Sequence, residues 1–237
     1  MSIIRFQYAT ALGLLMATLA QPAIEIGSGP AQAAGLPLTI EPVNTDALPD
    51  VGEEWLTENP YRADKAGEDV WWTAIGIGDS GFNQNCARCH GLGAVSGGLA
   101  PDLRFLEAAE YGDEWFVERF RHGYTQDGTT KMPPFGDVLG QKAAWAIRTY
   151  IETRPEDGAL DDHADRLKAI RDELGNGAGD TAALKAELAA VAVEVATASG
   201  APVADSAPYR AALVLDGTPE GAKKASDVLT VELSAAH

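Results

Sequence analysis

The chain has 237 residues, and its 35 Asp and Glu against 18 Lys and Arg give a formal net charge of −17. It is longer than a single small domain requires. The acidic balance excludes nucleic-acid binding through release of phosphate counterions, because that mechanism needs a basic surface. It favours attraction to a basic protein surface, although acidic flanks also serve simply to keep a protein soluble.

Residues 1–33 have the pattern of a secretory signal peptide. Arg5 precedes an apolar run from residue 9 to residue 20, and Ala31-Gln32-Ala33 is a small-x-small cleavage site. The apolar run is short for a membrane span, so we expect cleavage after about residue 33, with an uncleaved anchor as the alternative. This pattern predicts an exported, periplasmic protein without stable membrane insertion.

Residues 34–65 predict an extended segment that lies over a folded domain, since they contain four prolines and little periodicity. Aromatic side chains bury much area per residue. We therefore expect this segment to be held in place by Trp55, Tyr61, Trp71 and Trp72.

Residues 66–154 form a domain that begins and ends with a predicted helix. In the first, over residues 74–85, Gly78 and Phe82 lie one turn apart and share a face with Cys86. The second covers residues 141–153, and its apolar stripe comprises Ala143, Ala146, Ile147, Tyr150 and Ile151. We expect the two helices to cross with Gly78 and Phe82 against Ile147 and Tyr150, because glycine permits a close approach.

Cys86-Ala87-Arg88-Cys89-His90 has the spacing Cys-x-x-Cys-His, which predicts covalent attachment of a c-type haem. Thiols three residues apart on one turn can add to the two vinyl groups of the porphyrin. His90 then supplies the proximal imidazole to iron. The sequence therefore predicts one haem c, with Cys86 and Cys89 as its covalent attachments.

Other uses of two cysteines have less support. A Cys-x-x-Cys redox pair needs a thioredoxin-like βαβ context, and a structural zinc site needs two further Cys or His ligands nearby. A disulfide between Cys86 and Cys89 in a secreted binding module is the remaining alternative, against which His90 and Met132 argue.

Met132 is the predicted sixth ligand to the haem iron. Met1 and Met16 lie in the signal peptide, so Met132 is the only methionine of the mature chain. It precedes Pro133 and Pro134, which favour a rigid extended loop rather than the periodic apolar face of a core methionine. His122 is the rival ligand, although its place after a predicted helix at residues 114–121 is typical of a helix-end histidine.

The loop between these ligands is expected to orient the proximal histidine. A metal-bound imidazole usually donates its free N–H to a carbonyl oxygen, and the backbone carbonyl of Pro101 is our candidate acceptor. Leu103 and Leu106 are expected to pack on the haem face. A helix over residues 113–121 should turn Phe116 and Phe120 inward, and residues 123–130 should turn into the Met132 loop.

Together, Gly78, Phe82, the Cys86–His90 motif, the Pro101 loop, Met132-Pro133 and Tyr150-Ile151 resemble the class I cytochromes c over about residues 66–154. A closer resemblance runs through residues 83–92, 96–104 and 132–135. These segments are similar to the periplasmic cytochromes, of the c-553i type, that serve quinoprotein alcohol or methanol dehydrogenases.

This resemblance implies an all-α fold around one haem and one-electron transfer from a dehydrogenase carrying pyrroloquinoline quinone to a downstream cytochrome or oxidase. With both axial positions filled, the protein would be an electron carrier and not an enzyme. The alternatives are a general mobile cytochrome between a quinol-oxidising complex and a terminal oxidase, and a haem peroxidase in which Met132 is displaced.

Residues 155–237 form an acidic, Ala-rich extension outside the resemblance. Residues 160–174 predict a charged helix. Asp180 or Thr181 is placed to cap a second one, whose stripe comprises Leu184, Leu188, Val191 and Val195. The remainder is expected to be poorly ordered, with His163 and His237 solvated rather than ligands.

Overall fold

A computed structural model describes residues 39–177 and 179–235. This part of the chain is helical apart from one β-hairpin, which confirms the all-α prediction. The predicted signal peptide, its cleavage site and His237 lie outside the described residues. Within the described part, no helix is both long and apolar enough to cross a bilayer.

The described part of the chain contains nine α-helices and two β-strands. In order, they are α1 (Ala63–Ala66), α2 (Glu68–Asn85), α3 (Ala87–His90), α4 (Glu110–His122), β1 (Tyr124–Gln126), β2 (Thr129–Met132), α5 (Gly136–Glu152), α6 (Ala164–Gly175), α7 (Thr181–Glu194), α8 (Ala207–Val214) and α9 (Pro219–Ala235). Single turns of 3₁₀-helix occur at residues 92–94, 103–105 and 161–163.

Helices α2 and α5 cross at Gly78, as the sequence predicts. A Cβ atom at Gly78 would lie 2.0 Å from the carbonyl oxygen of Ala146 and 2.8 Å from the Cβ of Tyr150. One turn further along α2, the ring centroids of Phe82 and Tyr150 are 5.4 Å apart. The glycine therefore lets two helix backbones touch, and the aromatic pair fills the space beside the contact.

Both crossing helices begin earlier than the sequence predicts. Helix α2 starts at Glu68, directly after Gly67, whose φ of 83° is open to glycine. The acidic side chains of Glu68 and Asp69 favour its first turn through the helix dipole. Helix α5 includes an extra turn before Gly140, which has φ 74° and ψ 173° and so interrupts the helix where the predicted one begins.

The segment before α1 is bound to the helices through polar groups as well as aromatic rings. The buried Tyr61 donates its hydroxyl to the carbonyl of Pro49 over 2.9 Å. The amide of Gln141 donates to the carbonyls of Gly52 and Glu54, at 2.7 and 2.9 Å. These hydrogen bonds make the segment part of the same folded domain as α5, and it does not merely lie over that domain.

Four charged side chains form a buried cluster beneath this segment. Arg62 binds Asp113 at 2.8 Å and Glu152 at 2.7 Å, and Arg148 binds Asp113 at 2.9 Å. Arg148, Asp113 and Glu152 are almost fully buried. Burial raises the pKa of Glu152, although Arg62 and Arg148 oppose that shift. Two cations matched to two anions leave the cluster neutral, which is the condition for keeping charges out of water.

The C-terminal region forms a second apolar core among α6, α7, α8 and α9. Asp180 caps α7 by accepting hydrogen bonds from the backbone N–H groups of Ala182 and Ala183, as predicted. The predicted α7 stripe is buried. The core also contains Leu167, Ile170, Ala211, Ala225 and Leu229.

The prediction of poor order after residue 195 is wrong, because this part of the chain forms helices α8 and α9. Their Ala-rich sequences carry a weak apolar signal. Small side chains nevertheless let four helices pack closely, and Ala211, Ala225 and Leu229 are fully buried there. Burial against neighbouring helices, rather than the propensity of either segment alone, stabilises this region. His163 is mostly buried beside Glu194, at 3.9 Å, rather than solvated as expected.

The second core is joined to the first by backbone hydrogen bonds and side-chain contacts. The N–H of Ala204 donates to the carbonyl of Thr153 at 3.0 Å, and Arg154 binds Asp205 at 2.8 Å. The rings of Trp72 and Tyr209 stack, with centroids 4.9 Å apart and planes 10° from parallel. Trp72, which was expected to hold the N-terminal segment, instead holds α8.

Replacing Gly78 by Ala should destabilise the protein by about 3 kcal/mol or more, because the new methyl group collides with the Ala146 backbone. Gly76→Ala is the matched control. It lies in the same helix, where an added Cβ would meet nothing within 4 Å, and should stabilise the fold by about 0.5–1 kcal/mol. Urea unfolding of both variants measures the difference, and equal stabilities would contradict the close helix contact.

Candidate functional site

The Cys-x-x-Cys-His motif lies on a single helical turn directly after α2. Cys86 is the N-cap of α3, and its carbonyl accepts hydrogen bonds from the N–H groups of Cys89 and His90, each at 3.0 Å. Gly91 ends the turn with φ 79°, and a Cβ there would lie 1.9 Å from the carbonyl oxygen of Val95. The turn thus presents both thiols and the imidazole within one tight, closed loop.

Asn85 fixes the attachment turn to the N-terminal segment. Its buried side chain accepts a hydrogen bond from the N–H of Glu41 at 2.8 Å and donates to the carbonyl of Glu41 at 3.1 Å. The same amide donates to the carbonyl of Gly81 within α2. The last residue of α2 therefore has a fixed side chain, and the motif that follows it has a fixed starting point.

Both cysteines are free thiols in the structure. Burial, reinforced by the neighbouring Cys89, raises the pKa of the Cys86 thiol to about 12. Cys86 also packs against the apolar core of the domain, so the surroundings of this side chain favour an uncharged group.

The imidazole of His90 is oriented by the proximal loop. Its Nδ1 lies 2.8 Å from the carbonyl oxygen of Pro101, as the sequence predicts. With Nδ1 engaged as a donor, Nε2 is the ring nitrogen that can bind a metal. This is the usual arrangement for a histidine ligand whose tautomer must be fixed.

The proximal loop is closed by Asp102, whose role sequence reasoning did not identify. The carboxylate of Asp102 accepts hydrogen bonds from the N–H of Ser96, at 3.3 Å, and from the guanidinium of Arg104, at 2.7 Å. Burial opposes ionisation of Asp102, but these donors prevail and hold its pKa below the usual value. The sequence signal that could have identified this role is the pattern Asp102-x-Arg104 at the end of a glycine-rich loop.

Met132 lies at the end of β2, in a hairpin where the sequence indicated only a turn. It pairs with Tyr124 across the strands, and the turn residues Asp127 and Gly128 have φ values of 51° and 74°. An Asp-Gly pair is the usual signal of a two-residue hairpin turn, and it was present in the sequence. Met132 is half-buried and packs against the same apolar core as Cys86.

The Met132 loop is attached to the end of α4. The N–H of Phe135 donates to the carbonyl of Phe120 at 2.8 Å. Gly123 has φ 69°, and a Cβ there would lie 2.3 Å from the carbonyl oxygen of Met132. The rings of Phe120 and Phe135 are 5.7 Å apart. Phe116 and Phe120 are buried, as predicted, so α4 supports the loop from the core side.

His122, the rival ligand, lies in the last turn of α4 with Gly123 as the helix cap. Its side chain is more than half exposed and lies 3.7 Å from the carboxylate of Glu118, also largely exposed. The C-terminal end of a helix favours a positive charge, and Glu118 supplies a nearby carboxylate. These two features explain the position of His122 without a bound metal.

The residues at the site fit a covalently bound haem. They comprise two thiols on one turn and an imidazole with Nε2 available, the chemistry that haem c attachment needs. The chain around His90 also carries apolar side chains that are mostly exposed, namely Leu92 at 77%, Leu99 at 76% and Phe105 at 64%. Exposed apolar surface concentrated in one place is typical of a ligand-binding face.

Comparison with known proteins agrees with this chemistry. The family model described as cytochrome c oxidase, cbb3-type, subunit III, matches residues 73–151. Cytochrome c550 of Pseudomonas aeruginosa is 50% identical over 116 residues, which cover 49% of this chain and 78% of that protein. The chain belongs to the class I c-type cytochromes. Membership means that it carries one haem c with its iron and transfers electrons.

Two further relatives of this class I cytochrome are larger proteins that match it over only part of their length. FixP, a cbb3-type cytochrome c oxidase subunit of Rhizobium meliloti, is 33% identical over 91 residues, or 33% of this chain and 29% of FixP. Quinohemoprotein alcohol dehydrogenase ADH-IIG of Pseudomonas putida is 33% identical over 84 residues, or 35% of this chain and 11% of that protein. The chain thus spans less than a third of either relative. No solved structure matches this cytochrome significantly.

Gly123→Ala should displace the Met132 loop, because the new Cβ would collide with the backbone of Met132 and Pro133. We expect a loss of at least about 3 kcal/mol in unfolding free energy. Gly128→Ala, in the same hairpin, has a similar positive φ but nothing within 4 Å, so it should cost only about 1 kcal/mol. Denaturant titration of the haem-loaded variants distinguishes the two, and equal losses would contradict the close contact.

Proposed function

We propose that Cys86 and Cys89 hold the haem through thioether bonds, that His90 is the proximal iron ligand and that Met132 is the sixth ligand. The hydrogen bond from His90 to Pro101 is the observation that carries this assignment, because it orients one ring nitrogen for a metal. Met132 has support from its position in a braced hairpin against the core that Cys86 also contacts.

The haem c supplies an iron that alternates between the ferric and ferrous states. The protein keeps the ligands in place in both states. Pro101 holds the imidazole, while Gly123 and Phe120 hold the Met132 loop. A thioether opposite an imidazole raises the reduction potential. If His90 and Met132 both held the iron, no position would be left for a substrate, and the protein would act as a carrier of single electrons.

We further propose that the chain consists of four functional segments. Residues 1–33 act as a cleaved signal peptide, residues 34–65 as an N-terminal segment, residues 66–154 as the haem domain, and residues 155–237 as an acidic extension. Export to the periplasm agrees with covalent haem attachment, which takes place outside the cytoplasm.

The electron donor that we propose is a quinoprotein alcohol or methanol dehydrogenase, and the acceptor is a downstream cytochrome or oxidase. Similarity of residues 83–92, 96–104 and 132–135 to cytochromes that serve such enzymes supports this donor. A further support is the relative named quinohemoprotein alcohol dehydrogenase, since it combines a segment like this chain with a quinone enzyme. Arg88, Lys131 and Met132 are proposed to border the docking surface.

A second candidate is a general mobile cytochrome between a quinol-oxidising complex and a terminal oxidase. The family description and the FixP relative both refer to a cytochrome oxidase, which favours an oxidase as the acceptor. Growth of a deletion strain on alcohols and on other carbon sources separates the two candidates. A defect confined to alcohols supports the dehydrogenase as donor.

Met132→Ala should lower the reduction potential and open the iron to added ligands such as carbon monoxide or imidazole, because the thioether that stabilises ferrous iron is lost. Val138→Ala is the control, since Val138 is an exposed apolar side chain six residues away. Potentiometric titration and ligand-binding spectra provide the measurements. An unchanged potential without ligand binding would assign the sixth position to another side chain.

Mixing the oxidised cytochrome with a reduced quinoprotein alcohol dehydrogenase should reduce the haem in a second-order reaction. Lys131→Glu should change its rate constant by about threefold or more at low salt, because it reverses a charge at the docking surface; a fall indicates an acidic partner surface and a rise a basic one. Lys223→Glu makes the same change in net charge on the exposed surface of α9 and should have little effect. Absence of reduction in a stopped-flow experiment would eliminate this donor.

A further inference from the structure

The carbonyl of Pro101 that binds His90 lies in a loop with little internal support. Gly97, Gly98, Leu99 and Pro101 are all exposed, and Gly98 has φ 89°. Gly98 donates its N–H to the hydroxyl of Ser96, but Pro101 has no N–H to donate, and residues 95–102 form no helix or strand that would hold its carbonyl. Contacts from outside the exposed part of the loop must therefore hold the Pro101 carbonyl in place.

Asp102 and Arg104 supply that support. The Asp102 carboxylate receives the backbone N–H of Arg104 at 3.0 Å, its Nε at 3.1 Å and its Nη2 at 2.7 Å. It also receives the N–H of Ser96, so it joins the two ends of the loop. The hydroxyl of Ser96 donates to the carbonyl of Ala100, the residue before Pro101.

Arg104 connects this closed loop to the rest of the fold. It is 4% exposed, and its Nη1 donates to the carbonyl of Pro155, at 3.1 Å, and to Asp157, at 2.9 Å. Pro155 follows α5, the helix that crosses α2, and α2 ends at the cysteine turn. The guanidinium thus holds the Pro101 loop to the same frame that carries His90.

We propose that Asp102 and Arg104 are positioning residues for the iron ligand, because their buried ion pair holds the Pro101 carbonyl against Nδ1 of His90. The proposal rests on His90 being the proximal ligand. A firmly held acceptor draws the Nδ1 proton towards itself and makes the imidazole a stronger electron donor, which favours the ferric state. A loosened loop weakens this hydrogen bond and favours the ferrous state.

The reduction potentials of Asp102→Asn and Arg104→Gln test the proposal, because a simple charge effect would shift the potentials of the two variants in opposite directions. Loss of a negative charge raises a nearby potential and loss of a positive charge lowers it. Positioning instead predicts that both variants raise it, with about a fivefold shift towards ferrous haem at a fixed solution potential. Asp157→Asn should have a smaller effect, because Asp157 is 79% exposed and its loss leaves Arg104 bound to Asp102 and to the carbonyl of Pro155.

Hydrogen exchange at Nδ1–H of His90, followed by NMR in the ferrous protein, provides a readout independent of charge. Both variants should exchange at least about tenfold faster than the wild type, and Asp157→Asn should change the exchange rate much less. If Arg104→Gln fails to fold, Asp102→Asn, which keeps the side-chain shape, decides by its exchange rate. Arg104→Lys, which keeps the charge but not the forked geometry, should lie between the wild type and Arg104→Gln.

Opposite potential shifts in the two variants, or unchanged His90 exchange in Asp102→Asn, would overturn the proposal. An Asp157→Asn shift as large as that of Asp102→Asn would overturn it too, because a general charge effect would then be sufficient. A His90 ring without the strong paramagnetic shifts of an iron ligand in the ferric protein would overturn the ligand assignment itself. That result separates failure of the proposed function from failure of the positioning role.

Discussion

The contact between Gly78 and the backbone of Ala146 is the constraint on which the rest of the structure depends. Only a residue without a Cβ lets α2 and α5 approach this closely, since any side chain would overlap the Ala146 carbonyl. This approach sets the position of both helices. Because α2 ends at Cys86 and α5 is followed by the anchor of Arg104, the same contact also sets the distance between the attachment turn and the support of the proximal loop.

Charged and polar side chains extend this frame into regions without regular structure. Arg62 joins the N-terminal segment to Asp113 of α4 and to Glu152 of α5 through buried ion pairs. Removing either partner would leave an unpaired buried charge, so such a cluster specifies one arrangement strongly even where it adds little net stability. Arg104 does the same just after the C-terminal end of α5, where it joins the proximal loop to residues 155 and 157.

The two sides of the candidate haem site are held by different physical means. On the histidine side, an ion pair and a carbonyl oxygen determine the direction of one imidazole ring. On the methionine side, a hairpin, a glycine contact and two packed phenylalanine rings support the loop. An electron carrier benefits from such rigidity, because ligands that stay in place require little rearrangement when the charge on the iron changes.

The C-terminal region shows that an acidic, Ala-rich sequence can still form a packed core. Helix α7 is weakly amphipathic, and Asp180 caps its first turn. Contacts between Trp72 and Tyr209, and between Arg154 and Asp205, hold this core to the cytochrome domain. The region therefore adds surface and charge to the molecule, and its first residues, Pro155 and Asp157, also anchor Arg104.

The sequence by itself determined the chemistry and its local geometry. The spacing of Cys86, Cys89 and His90, the glycine and aromatic residues at four-residue steps, and the proline at position 101 each act over one or two helical turns, where spacing dictates which side chains meet. Tertiary structure alone decided the ion pairs of Arg62, the bonds of Arg104 to residues 155 and 157, and the packing of α8 and α9. These features join residues distant in the chain or depend on burial against several neighbours, and no local pattern encodes which distant partner a charged or small side chain will find.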